Sequence, residues 1–325
     1  MKENSSLVYD NNLANPIVTI GIPAYKNSIL LKEAIESALL QDFDKAYEIL
    51  VVNDNPYEDS ITQLMTEYLK YGNVAYYKNA KNLGPTGNWN AMYSLAKGQY
   101  VVMLQDDDLL MPFYLKVMFR FMEVTSYQYD LIYPQQYLIK ERGGLNPPPP
   151  IGRIRYRLMK LNDYIVTQWG LPTGLMIEKN KYFQTGGYRN ELFPINDQEF
   201  IYRALHYVKG CQIQLPLCFY YIGENLSMKP EIITQSIVEA KNFNKVMQKD
   251  KSNIWRFFAP LCLRQQIINL ERWALNFSQE QAIILHGRKL IGINRNKLKD
   301  KLSDAICKML KLYIYSVRFK SFYIE

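Results

Sequence analysis

Three consecutive carboxylates, Asp106, Asp107 and Asp108, follow the apolar run 100–104 and precede Leu109-Leu110-Met111-Pro112. Adjacent carboxylates repel one another, and a hard divalent cation with oxygen ligands relieves that repulsion. Mg²⁺ takes one or two protein carboxylates and completes its shell with substrate phosphates, so a nucleoside diphosphate would suit the arrangement. The same residues also suit an acidic turn capping a helix that starts near Pro112, because aspartate favours helix N-termini. Asp54 stands directly after another apolar run, 49–52, within Asn53-Asp54-Asn55-Pro56. Its carboxylate could accept a hydrogen bond from a base N–H or a ribose hydroxyl, although this tetrapeptide is also an ordinary turn sequence. Pro23, Ala24 and Tyr25 end a first run at 18–22 with backbone that could approach a nucleotide and a ring that could flank it. Residues 82–90, which include Asn82, Gly84 and Asn90, read either as a phosphate-cradling loop or as a turn with a helix N-cap. They lack both the Gly-Lys-Ser/Thr ending of a P-loop and GxGxxG spacing.

These residues need elements to hold them. Short β-branched runs at 18–22, 49–52, 74–77 and 100–104 alternate with amphipathic windows at 29–41, 60–70 and 88–96. Such alternation predicts an α/β fold with a mainly parallel central sheet flanked by helices, whose ligands sit beyond the carboxyl ends of the strands. The turn-rich stretch 141–152 opens a second region, with an extended segment at 173–178, a helix at 197–209 and a strand pair around 212–222. From about residue 230 the pattern is helical, through 231–248, 254–276, 278–290 and 296–322. The organisation expected is a catalytic domain at 16–228, divided into a nucleotide-binding half (16–135) and an acceptor-binding half (136–228), with a helical extension at 229–325.

Composition narrows the chemistry. With two histidines in 325 residues, a His-based metal site or a Ser-His-Asp triad is disfavoured. Four cysteines without CxxC pairing suit reduced, buried thiols of a cytoplasmic protein. The N-terminus has no apolar signal region, and no uninterrupted apolar stretch reaches the ~18 residues that a spanning helix needs. No basic stripe interleaved with aromatics crosses the α/β region, so nucleic acid is not an expected partner.

Taken in order, residues 17–25, 48–55, 82–90 and 96–112 resemble the motifs of family 2 glycosyltransferases, inverting enzymes of the GT-A fold. Gly174-Leu175-Met176-Ile177, followed by Tyr182-Phe183 and Gly186-Gly187-Tyr188, is similar to the family's acceptor-side segment, and the resemblance spans roughly 16–227. It implies that Asp54 contacts the nucleoside with Pro23, Ala24 and Tyr25 beside it, and that Asn82, Gly84 and Asn90 belong to the same nucleotide site. It further implies that Asp107 holds Mg²⁺ or Mn²⁺, that Asp106 faces the ribose or the metal shell, and that Asp197 is the catalytic base, with Gly174 and Trp169 on the acceptor side. A simple helix N-cap is the plain alternative for Asp197. The chain departs from the family pattern at Asn53, Gln105, Asn196 and Gly223, each standing where members often carry another residue.

The expected activity is transfer of a sugar from a nucleotide diphosphate donor, a UDP-sugar, to a saccharide or lipid-linked acceptor in cell-surface polysaccharide synthesis. The alternative is a catalytically silent module of the same fold that binds glycans or scaffolds an assembly complex. A sugar nucleotidyltransferase is disfavoured, since that class needs a Gly-rich basic loop and 21–27 holds one glycine. The formal charge of +8 is concentrated at the end of the chain: residues 288–325 carry ten Lys and Arg against three acids, a net +7. Together with Ile306, Met309, Leu310, Tyr313, Ile314, Val317 and Phe319 this suits either an interfacial helix on the inner face of an anionic membrane or a helix packed on the core by its apolar side.

Overall fold

The computed structural model describes residues 5–10, 12–142, 147–167, 170–223, 229–250, 254–277 and 288–324. Their strands are β1 (Ser5–Tyr9), β2 (Val18–Ala24), β3 (Tyr47–Asn53), β4 (Val74–Asn79), β5 (Tyr100–Met103), β6 (Leu109–Leu110), β7 (Leu131–Ile139), β8 (Gly152–Met159), β9 (Met176–Glu178), β10 (Gly210–Tyr221) and β11 (Phe319–Ile324). The helices are α1 (Ser28–Leu39), α2 (Ser60–Met65), α3 (Gly84–Leu95), α4 (Tyr114–Val124), α5 (Leu161–Thr167), α6 (Lys179–Gln184), α7 (Asn196–Ala204), α8 (Pro230–Lys249), α9 (Ala259–Phe277) and α10 (Lys297–Arg318).

Alternation of apolar residues builds both layers of the core. Val18, Ile20, Ile22, Ile49, Val51 and Val102 pack on one side of the sheet, while Leu50, Val52, Val101 and Met103 pack on the other. Strands buried on both faces read as continuous apolar runs, which is why these elements are visible in the sequence. One sheet runs in the order β1-β4-β3-β2-β5-β9-β7-β10-β8-β11, with β6 paired to β10. β4, β3, β2 and β5 are mutually parallel, and β9 joins β5 antiparallel. The register pairs Ala24 with Asn53 and Gly21 with Met103, so the segments after β2, β3 and β5 leave the sheet at the same edge.

The α/β architecture with a helical C-terminal region is as expected, but several local expectations change. Residues 82–90 are largely helix: α3 starts at Gly84 with Pro85 in its first turn, where a missing N–H costs nothing. The strand pair at 212–222 is one long strand, β10, with register shifts around Pro216, because a residue without an N–H is tolerated at a bulge rather than in a regular ladder. The predicted helix 296–322 stops at Arg318, and Phe319–Ile324 forms an edge strand antiparallel to β8 with Phe322 and Ile324 turned inward. Helix 197–209 ends at Ala204, and 254–276 begins as a 3-10 turn, Ile254–Phe258. The predicted helix 278–290 lies mostly outside the described residues. All four cysteines are free and buried.

Candidate active site

The loop after β3 carries Asp54, which is buried. Its Oδ1 accepts hydrogen bonds from Asn79 Nδ2 (2.7 Å) and the Leu83 amide (2.8 Å), and its own amide donates to the Ala24 carbonyl at 2.9 Å. Burial raises the Asp54 pKa, opposed by the hydrogen bonds from Leu83, Asn79 and Gly84. Asn79 also donates to Asn88 Oδ1, and Asn88 donates to the Val52 carbonyl at 3.0 Å, so α3 is stitched to the ends of β3 and β4. Asn53 is wholly buried and bonds Tyr76 Oη and the Asn55 amide, which makes it a brace for the turn.

The three acids after β5 part company. Asp106 accepts from the Tyr25 amide at 2.8 Å and faces the cleft beside Asp107. Asp108 turns inward, where its Oδ2 accepts from Thr173 Oγ1 and its Oδ1 accepts from the Tyr221 amide at 2.8 Å. The trio therefore supplies two cleft-facing carboxylates and one structural tie. Loss of hydration, then the charge of Asp107, pushes the Asp106 pKa up to about 7. Burial likewise raises Asp107, although the Arg142 guanidinium acts the other way. Arg142 bonds the Asp107 carbonyl and Glu33, and its guanidinium lies 4.3 Å from the Tyr221 ring centre.

Asp197 is the second residue of α7, not its N-cap, which is Ile195. Its carboxylate accepts from the Gln198 amide at 2.7 Å, and burial raises its pKa to about 7. Arg203 holds the helix in place by bonding Glu199 and the carbonyls of Thr185 and Gly187. Neighbouring Asn196 is buried and donates to Thr86 Oγ1 at 3.0 Å, tying α7 to α3.

These groups meet in a cleft of about 1010 Å³ whose lining includes Pro23, Tyr25, Asp54, Asn82, Gly84, Asp106, Asp107 and Asp197. Three predicted residues lie behind its wall. Ala24, the last residue of β2, is fully buried. The Asn90 side chain is spent on Tyr188 and Tyr182. Gly174, at φ +79°, has its amide on Met103 and its carbonyl under Tyr114 Oη, and a Cβ there would lie 2.6 Å from Cys218 Sγ, so only glycine fits. Trp169 lies outside the described residues.

The cleft also contains residues the sequence did not assign to it, among them Gln105, noted there only as a departure from the family pattern. Gln105 lines it with Nε2 buried and without a protein acceptor among the described residues, while Tyr221, Phe193, Pro194 and Lys229 complete other parts of the wall. Arg142 belongs to the turn-rich stretch 141–152 of the sequence and carries no local signal of its own. Thr173 could have been suspected only from its position before Gly174.

Among the described residues no three His, Cys, Asp or Glu side chains converge into a cage. Two neighbouring cleft carboxylates, both with pKa values raised chiefly by burial, fit a hard cation such as Mg²⁺ or Mn²⁺ that completes its shell with ligand oxygens. No helix among the described residues is long and apolar enough to cross a membrane.

The chain is similar to a mannosyltransferase of Pyrobaculum calidifontis solved with GDP-Man and Mn²⁺, with a TM-score of 0.55 and 12% identity over 95% of this chain and 86% of that one. It is also similar to S. aureus TarS 1-349 in complex with UDP-GlcNAc, with a TM-score of 0.57 and 18% identity over 91% of this chain and 89% of that one. Both similarities concern the fold alone, the GT-A fold. An uncharacterized glycosyltransferase of Methanocaldococcus jannaschii is 27% identical over 192 residues, 58% of this chain and 65% of that protein. The match thus spans slightly less than two thirds of that relative. The sequence model of glycosyl transferase family 2 matches residues 19–184, just over half of the chain, a stretch that holds Asp54, Asp106 and Asp107 and the strands beneath them. The chain therefore belongs to glycosyl transferase family 2.

Proposed function

We propose that this protein is an inverting glycosyltransferase that moves one sugar from a UDP-sugar to a saccharide acceptor, free or lipid-linked, in cell-surface polysaccharide synthesis. The observation that carries the reading is the meeting of Asp54, Asp106, Asp107 and Asp197 in one cleft. Asp54 takes the nucleoside, flanked by Pro23, Tyr25, Asn82 and Gly84, while Ala24 and Asn90 support that pocket from behind. Asp107, with Asp106 beside it, would hold Mg²⁺ or Mn²⁺, which when bound supplies charge stabilisation to the departing diphosphate. Asp197 removes the proton from the acceptor hydroxyl; that oxygen bonds to the anomeric carbon as the bond to the donor phosphate breaks, and the configuration inverts. A carboxyl whose pKa lies near 7 is suited to take a proton at neutral pH.

On this reading 16–135 serves the donor and 136–228 the acceptor, with Gly174 shaping the acceptor side from beneath and Trp169 assigned to it. Residues 229–325 form the extension. Lys229 and Ile232 bring its first helix to the cleft. The protein would work in the cytoplasm, on the inner face of a membrane reached through the basic residues 288–325. The neighbours solved with UDP-GlcNAc and with GDP-Man and Mn²⁺ support a nucleotide-sugar donor and a divalent ion.

The test is a panel of UDP-sugars and GDP-mannose, with and without Mn²⁺, read by nucleotide release and by calorimetric binding of UDP. Release from a UDP-sugar with inversion at the transferred carbon is the expected result. A chain that binds no nucleotide under any of these conditions would be the silent module instead.

A further inference from the structure

Helix α10 is apolar on two faces, and the fold uses one. Ser303, Cys307, Leu310 and Ile314 are buried, with Cys307 Sγ 3.8 Å from Cys262 Sγ on α9 and Ser303 Oγ donating to the Leu261 carbonyl. This packing consumes much of the face that the sequence offered to lipid: Leu310 and Ile314 are in the core, and Ile306 and Phe319 are half-buried. A different stripe points outward. Leu298, Leu302, Met309, Leu312 and Tyr313 recur at helical spacing and are all exposed, Leu298 by 77% and Leu312 by 70%. Single exposed apolar residues need no explanation, whereas a continuous stripe marks a contact surface. The 3-10 turn Ile254–Phe258 adds to it. Trp255 lies with its ring 6.2 Å from that of Tyr313, and the same turn exposes Ile254 and Phe257.

Charge identifies what the stripe meets. Lys301 and Lys308 are exposed along one edge, next to Leu302 and Met309, and Lys299 is exposed on the other. Beside the first turn of α10 lies a depression of about 500 Å³, lined by Arg272, Arg288, Arg295, Lys297 and Lys301 against Glu271, Asp300 and Asp304. Arg288 is committed to Glu271, Arg264 to Asp300 and Lys308 to Asp304, yet cations remain in excess. Two copies of this chain meeting through the stripe would bring two segments of net charge +7 together, which is unfavourable. A surface that is apolar at depth and anionic at its rim fits instead, because long lysines cover apolar area while their ammonium groups reach outward.

We propose that the outward stripe of α10, with the adjoining 3-10 turn, docks on an anionic lipid bilayer. The apolar side chains enter the boundary of the acyl region and the lysines meet headgroup phosphates. The inference deepens the membrane-facing part of the proposed function; it concerns vesicle binding, so its failure would leave sugar transfer standing.

Co-sedimentation of the full chain with vesicles tests it, using phosphatidylcholine alone and phosphatidylcholine mixed equally with phosphatidylglycerol. The chain should sediment with the mixed vesicles, and high salt should release it. Lys299→Gln with Lys301→Gln should weaken binding roughly 30-fold. Leu302→Ser with Leu312→Ser should weaken it by about tenfold or more. All four positions are exposed, and unchanged UDP affinity and melting temperature would verify the fold; the single change Lys299→Gln is the milder substitute, expected to cost about fivefold. Equal binding to both vesicle types, no binding, or unaltered binding by folded variants would overturn the proposal. So would a dimer in solution that Leu302→Ser with Leu312→Ser dissociates.

Discussion

On the wall of the cleft formed by the parallel strands, Asp54 is gripped from two segments, by the Asn79 side chain and the Leu83 amide, and Asp106 accepts from the Tyr25 amide. Asp197, on the wall formed by α7, accepts from the amide of the next residue, and its setting comes from the helix that Arg203 and Asn196 anchor. Carboxylates fixed by hydrogen bonds from different strands and loops are suited to recognise a ligand of fixed shape. A carboxylate with fewer donors around it gains less stabilisation of its charged form, and both Asp106 and Asp197, each with one amide donor from another residue, have pKa values raised to about 7. On the proposed function, Asp54 serves binding and Asp197 proton transfer, while Asp106 shares the raised pKa of Asp197 and differs from it in standing beside Asp107.

The largest expected effect follows from that division. Asp197→Asn should lower kcat by ~10²–10⁴ while UDP affinity stays within about twofold, because the change removes a base and leaves the nucleotide wall intact. In the wild type, transfer should fall about tenfold per pH unit as pH drops below about 7, since only the ionised carboxylate accepts the proton. UDP affinity measured at each pH reports Asp106 separately. Stability carries an independent sign. The folded pKa is raised to about 7 from a reference of 3.8, so the native chain holds a proton that the unfolded chain has lost, and wild-type stability declines across that window as pH rises. Asp197→Asn should therefore melt higher than wild type above pH 7 and alike below pH 4. Loss of activity together with a lower melting temperature at high pH would assign Asp197 a structural role.

A smaller effect belongs to the first wall. Asp54→Asn keeps the shape of the side chain but replaces a charge-assisted acceptor, so UDP should bind roughly 10- to 100-fold more weakly. At saturating donor, kcat should change by less than about threefold, because binding lost equally from ground and transition states raises KM alone. A fall in kcat comparable with that of Asp197→Asn would erase the distinction between the walls.

Much of this contrast is legible in the sequence, and its gaps have physical causes. Asp54 and Asp106 stand out because fully buried parallel strands are continuous apolar runs, and a carboxylate directly after such a run must lie at the sheet edge. β8 leaves an alternating trace, Arg153, Ile154, Arg155, Tyr156, Arg157, Leu158, obscured by Arg157, which is buried with its guanidinium 4.4 Å from the Tyr315 ring centre. β11 is hidden because nothing between Arg318 and Phe319 signals the end of a helix; its pairing with β8, far away in the chain, makes it a strand. Arg142 meets Glu33 across 109 residues, a contact that local pattern cannot report.

The finest distinction separates Asp107 from Asp108, two identical residues in sequence contact. Which of them faces the cleft is decided by Thr173, 65 residues away, and the Tyr221 amide, 113 residues away. Burial and the charge of Asp107 hold the Asp108 pKa well above its ordinary value, so a neutral side chain suits the site. Asp108→Asn can satisfy both contacts, its carbonyl accepting from Tyr221 and its amide donating to the threonine hydroxyl. It should cost under ~1 kcal/mol of stability and change transfer by less than about threefold. Asp108→Ala leaves a buried hydroxyl and a buried amide without this acceptor and should cost about 2–4 kcal/mol in denaturant unfolding. Asp107→Asn should show the opposite pattern, with stability kept and Mn²⁺-dependent donor binding lost, because its carboxylate faces the cleft. If Asp108→Asn instead abolished Mn²⁺-dependent binding while the chain stayed folded, the third carboxylate would belong to the ligand wall, and the inward tie to Thr173 and Tyr221 would be exchanged for a cleft-facing role when ligand arrives.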